Sequence, residues 1–123
     1  MIHELNDENI DAVLDSDRTF LVLFCQEKLP NLPNIMKVFE EFDKQFQGKI
    51  DVYKCDVVNQ IKINQYFKLS SLPGMVMMKD NTPYANIVGP VSSISYQNAV
   101  KQGIIDIMED TRKKEQLVAN YIL

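Results

Sequence analysis

Apolar residues recur along this chain in two rhythms, and the changes from one rhythm to the other mark out its elements. The longest apolar run is Phe20-Leu21-Val22-Leu23-Phe24-Cys25. Aliphatic, β-branched and aromatic residues without polar interruption suit a strand buried on both faces, as a central parallel strand is. Pro30 and Pro33 then punctuate the chain. A proline inside a helix removes a hydrogen bond and clashes with the preceding turn, so no helix is expected before about position 33, and Pro33 suits the first helical position. From Asn34 to Gln47 the apolar residues return every third or fourth place, as Ile35, Val38, Phe39, Phe42 and Phe46, a stripe that reads as core; Gly48 is placed to end the helix.

The same patterns organise the rest. Ile2 to Leu5 is a short first strand, and Asn6 or Asp7 caps a helix carrying Ile10, Val13 and Leu14. Lys49 to Val58 is a strand and Asn59 to Phe67 a short helix. The turn cluster Ser70-Ser71-Leu72-Pro73-Gly74 leads into the strand Met75 to Met78, and Lys79 to Pro83 turns the chain into Tyr84 to Val88, predicting a hairpin. Side chains alternate along a strand, so Met77 and Met78 are not both expected to face inward. From Ser92 or Ser93 a long helix carries Val100, Ile104, Ile107 and Met108. A charged stretch, Glu109 to Gln116, follows, and then Leu117, Val118, Tyr121 and Ile122. The expected division is a domain over 1–108 and a C-terminal helical extension over 109–123.

Parallel crossovers followed by an antiparallel pair predict an α/β fold, a mixed sheet flanked by helices. The length of 123 residues suits one such domain. A net charge of −4, without a basic cluster interleaved with aromatics, argues against nucleic acid as a partner. No apolar run is long enough to span a bilayer. Met1 to Asp7 lacks the pattern of a signal peptide, and two cysteines without an export signal point to the cytoplasm. His3 is the only histidine and no Cys/His/acid cluster has ligand spacing, so no metal is expected. The four glycines are isolated, which leaves no phosphate-cradling loop, and no cofactor is expected.

The element order, Phe20-Leu21-Val22-Leu23-Phe24, the helix ending Phe46-Gln47-Gly48-Lys49, the strand Ile50 to Asp56 and the Ser71-Leu72-Pro73 turn together resemble the thioredoxin family. The resemblance runs from about Ile2 to Met108 and needs no gap from Phe20 to Pro73. It implies that Pro73 is the family's cis-proline and Gly89 the glycine after the last strand. The family's active site is a Cys-x-x-Cys pair at the start of the helix after the central strand, where the helix dipole and exposed amides lower a thiol pKa from about 8.5 toward 7 or below. Here those positions read Leu29-Pro30-Asn31-Leu32, the family's buried acid is matched by Leu23, and the tryptophan before the loop is matched by Cys25. Cys25 and Cys55 are too far apart in sequence for any register to restore the pair.

The resemblance therefore implies a redox-inactive thioredoxin-like protein acting as a protein-interaction or chaperone-like accessory module. The backbone before the cis-proline would pair with an extended segment of a partner, giving a binding set of Gln26, Leu29, Pro30, Asn31, Leu32, Leu72, Pro73 and Gly89, with Val88 and Pro90 beside it. Leu29, Pro30 and Leu32 either present an apolar docking surface or cap the core. The alternative function is a monothiol oxidoreductase or thiol-capture protein using Cys25, which at the end of the central strand is either a small buried hydrophobe or a partly exposed thiol. Cys55 reads as core. The overlay of Leu23 on Lys54 sets the two cysteines on opposite faces, so no internal disulfide is expected. The tail residues Leu117, Val118, Tyr121 and Ile122 either fold back on the sheet or dock on another protein or a second copy, which would make a homodimer through the C-terminal helix.

Overall fold

The computed structural model describes residues 1–122. Its elements run β1 (His3–Glu4), α1 (Ile10–Asp15), β2 (Thr19–Cys25), α2 (Leu32–Gln45), β3 (Ile50–Asp56), α3 (Ile61–Phe67), β4 (Gly74–Lys79), β5 (Thr82–Val88) and α4 (Ser93–Ile122). The sheet order is β1-β3-β2-β4-β5. β3 pairs in parallel with β1 and β2, whereas β4 pairs antiparallel with β2 and β5. This is the mixed sheet expected from the element order, in the thioredoxin-like arrangement that the resemblance implies.

Strand β2 explains why the sheet needs helices on both sides. From Phe20 to Cys25 every side chain is buried. Leu21, Leu23 and Cys25 enter a cluster with Ile35, Phe39 and Phe42 of α2 and Tyr96 and Val100 of α4. Phe20, Val22 and Phe24 enter a second cluster with Ile10 and Val13 of α1 and Ile63 of α3. The first layer is aromatic at its centre. Phe39 meets Phe42 and Tyr96 edge-on, each at 5.5 Å between ring centroids, a geometry that sets ring edge against ring face.

Two-sided burial also corrects the expectation for β4. Met77 faces the α2/α4 cluster and Met78 the α1/α3 cluster, and both are buried, because the strand lies inside the sheet with a core on each side. Pro83 lies within β5 rather than in the turn before it. There it occupies an edge strand beside an irregularity in the β4–β5 register at Met77/Met78, the setting in which a missing N–H is tolerated.

Several boundaries differ from the pattern. α1 begins at Ile10, after a turn in which the Asn6 side chain accepts from the Glu8 and Asn9 amides and the Asn9 side chain accepts from Asn6. α2 begins two residues before Asn34, with Pro33 inside its first turn, where an amide has no intrahelical partner to lose. The charged residues after Met108 do not interrupt α4, which is one helix of 30 residues. Among the described residues no helix is long and apolar enough to cross a membrane.

Phe39 is fully buried between two rings whereas Phe46 sits half-buried at the rim. Phe39→Ala is expected to cost about 3–5 kcal/mol and Phe46→Ala clearly less. Urea unfolding of the two variants beside wild type checks the order; equal losses would contradict the layer arrangement.

Candidate functional site

Four segments meet at one end of the sheet: the end of β2, the loop into α2, the turn before β4 and the residues after β5. The strand register brings them together. Phe24 faces Gly74 across β2 and β4, and Gly74 faces Val88 across β4 and β5. One step further along the same registers, Pro73 stands between Cys25 and Gly89. The Gly89 amide donates to the Pro73 carbonyl at 2.8 Å, and its φ of +91° is one that glycine adopts at little cost. The Leu72–Pro73 peptide bond is cis. Pro73 is buried and Leu72 half-buried against the α1/α3 cluster. Among the described residues, neither the N–H nor the C=O of Leu72 has a backbone hydrogen-bond partner.

The loop from Gln26 to Asn31 climbs into α2 by successive turns. The Leu29 amide donates to the Gln26 carbonyl at 3.0 Å, Leu32 to Leu29 at 3.3 Å, and both Asn34 and Ile35 to Asn31 at 3.1 Å. Asn31 takes a left-handed φ of 65°, which asparagine tolerates better than most residues. Leu29 and Leu32 are half-buried and pack on the cluster that holds Cys25, Ile35 and Met75. Gln26, Pro30 and Asn31 are exposed. The two leucines thus anchor the loop on the core, and its outer surface is formed by Gln26, Glu27, Lys28, Pro30 and Asn31.

Cys25 is not partly exposed: only 2% of its surface reaches solvent. Its Sγ lies 3.7 Å from the Cys55 carbonyl oxygen. Burial pushes its thiol up, against the pull of Lys54 and with a further push from Asp56. Cys55 is wholly buried on the other face, and its thiol is pushed up to about 12, chiefly by burial, with Cys25, Asp56 and Asp7 adding. Both thiols are free. A thiolate is the reactive form of cysteine, and burial disfavours it at both positions.

One feature at this end had no counterpart among the sequence expectations. A hollow of about 680 Å³ opens at Asn31 and runs between α2 and the start of α4, walled by Asn34, Val38, Val91 and Ser92, with Tyr96 at its floor. The signals were present, as prolines and asparagines before one helix and serines before the other, but nothing local says that the two helices lie side by side. The C-terminal set is not part of this site. Leu117, Val118 and Tyr121 lie near the far end of α4, exposed at 60%, 57% and 88%; the Ile122 side chain falls outside the described residues. Among the described residues, no group of three or more His, Cys, Asp or Glu side chains gathers in a way that would hold a metal ion.

The family model of Thioredoxin matches residues 1–102. The chain belongs to the thioredoxin family. It is 31% identical to Thioredoxin C-2 of Corynebacterium nephridii over 84 residues, 68% of this chain and 78% of that one. It is 25% identical to a thioredoxin of Buchnera aphidicola over 104 residues, 84% of this chain and 96% of the relative. With a thioredoxin of Staphylococcus haemolyticus it shares 30% identity over 88 residues, 72% of this chain and 84% of that protein. Against this family background, Leu29 in the loop before α2 and Leu32 at its first position stand in the places where the resemblance sets the two thiols. Leucine has neither a nucleophilic atom nor one that ionises.

The raised Cys55 pKa has a pH consequence. A folded thiol titrating near 12 holds its proton while the unfolded one loses it near 9, so stability is fully present below pH 9 and falls as pH rises toward 12. Cys55→Ala is expected to flatten that alkaline decline relative to wild type. Urea midpoints measured from pH 7 to 11 check this, and parallel declines for the two proteins would refute it.

Proposed function

We propose that this protein is a redox-inactive member of the thioredoxin family that binds an extended segment of another protein, in a chaperone-like or accessory role, at the end of the sheet formed by Gln26, Leu29 to Leu32, Leu72, Pro73 and Gly89. The observation that carries this proposal is the pairing of hydrocarbon at the start of α2 with an unpaired Leu72 backbone beside Pro73. Dithiol–disulfide exchange needs a thiolate to attack and a second thiol to resolve the mixed disulfide; Leu29 and Leu32 offer neither. Strand-like docking needs only main-chain N–H and C=O groups, and Leu72 keeps both. The inward turn of Leu29 and Leu32 gives the partner a surface with polar character, so main-chain pairing at Leu72 supplies the contact and the exposed Gln26, Pro30 and Asn31 border it. The monothiol alternative asks Cys25 to reach a substrate sulfur as thiolate, and its 2% exposure and raised pKa oppose both requirements. Two free, buried thiols suit a reducing compartment, and the cytoplasm is the location we assign.

The test has two arms. In the first, wild-type protein is given a protein disulfide and a reductant. No turnover above background is expected, and turnover abolished by Cys25→Ser but kept in Cys55→Ser would overturn the proposal in favour of the monothiol chemistry. In the second, a chemically unfolded, alkylated polypeptide serves as the extended-chain probe in amide NMR. Shifts are expected at Gln26, Leu29, Leu32, Leu72 and Gly89, with affinity lowered about tenfold, or about 1.4 kcal/mol, in Pro73→Ala. Shifts confined to other surfaces would reject the groove.

A further inference from the structure

Helix α4 has one inward face, and that face continues past the domain it packs on. Tyr96 and Val100 are buried in the α2/α4 cluster, Ile104 and Ile107 pack on its edge, and Gly103 brings the helix so close to β4 that a Cβ there would sit 2.8 Å from the Met77 Sδ. At the same three- and four-residue spacing follow Asp110, Lys114, Leu117 with Val118, and Tyr121. The last contact with the sheet among these is the Tyr84 hydroxyl, which donates to Asp110 Oδ2 at 2.8 Å. Residues 111–121 are all exposed. At the root of this overhang lies an apolar hollow of about 330 Å³, lined by Phe46, Ile50, Ile104, Ile107 and Met108 with Thr19 and Lys49. The overhang cannot fill the hollow of its own chain. The helix is unbroken to Ile122, and ten residues of helix carry Leu117 about 15 Å beyond Ile107 along the axis.

We propose that this face is covered by a second copy of the chain, through antiparallel pairing of the two α4 overhangs about a two-fold axis near Arg112. Charge order favours self-pairing. On the inward face the charges are Asp110 and Lys114; antiparallel helices set each against the opposite charge of the other copy, whereas parallel helices in register would set Asp110 against Asp110 and Lys114 against Lys114. About an axis at Arg112, Asp110 meets Lys114 of the second copy. The same register brings Leu117 of the second copy to Ile107, at the mouth of the apolar hollow. The second oxygen of Asp110, the Oδ1, accepts no hydrogen bond among the described residues and is available to that lysine. Two-fold symmetry makes each contact twice, so one stretch of sequence supplies both the knob and the hollow.

Sedimentation equilibrium of the full chain tests the pairing. Wild type is expected to reach twice its 14.2 kDa mass, and Leu117→Asp, at a site already 60% exposed, should weaken association about tenfold or more while leaving the circular dichroism of the fold unchanged. Asp110→Lys and Lys114→Asp chains should each stay monomeric alone, because each sets like charges together, and should form a mixed dimer when combined. A monomeric wild type at every attainable concentration overturns the proposal, even if another protein binds the overhang. So does a dimer indifferent to Leu117→Asp and Lys114→Asp, or single-charge variants that dimerise alone as wild type does.

Discussion

Burial of β2 on both faces is the constraint on which the rest of this structure depends. Six consecutive side chains, Phe20 to Cys25, are removed from water, and a strand that offers hydrocarbon in both directions requires a layer on each side. α2 and α4 supply one, α1 and α3 the other. Fully burying a large aliphatic or aromatic side chain stabilises a fold by roughly 1.5–3 kcal/mol relative to leaving it exposed, so a strand with this composition strongly disfavours any arrangement that leaves one face wet. The parallel pairing with β3 and the antiparallel pairing with β4 follow, because a strand shielded on both faces satisfies its backbone through neighbours on both edges.

The end of that strand is where the family concentrates its chemistry, and the same hydrophobic logic has taken over there. Leu29 and Leu32 extend the α2/α4 cluster upward into the loop, and Cys25 terminates it from below. In a redox-active relative the corresponding loop must hold a thiolate at a helix start and keep it reachable. Here the loop is held by apolar packing instead, which needs no solvent-exposed reactive atom. The other features of this end are main-chain ones: the turn before β4, the Gly89-to-Pro73 hydrogen bond, and the open backbone of Leu72.

At the opposite end, α4 contributes in two ways along one continuous face. Its first four turns close the α2/α4 core, with Gly103 allowing close approach to Met77. Beyond Asp110 the same face carries Lys114, Leu117, Val118 and Tyr121 with no sheet beneath them. The family match ends at residue 102, before the overhang begins, so the family fold does not account for that segment.

Local sequence determined the element types, because period and turn chemistry are local properties. The unbroken apolar run identified β2, the three- and four-residue spacing identified α2 and α4, and the prolines limited the start of α2 to within two residues. The absence of a Cys-x-x-Cys pair was likewise legible, since no fold can create a thiol that the chain lacks. Tertiary structure decided which way ambiguous side chains turned. Met78 is buried because α1 and α3 cover the second face of β4, Leu29 and Leu32 point inward because the cluster around Ile35 lies beneath them, and Cys25 is sealed by the same layer. It also brought α2 and α4 side by side to open the hollow at Asn31. Each of these outcomes depends on elements distant in sequence being packed together, and hydrophobic burial, being non-directional, leaves no local mark of which distant surface will provide it.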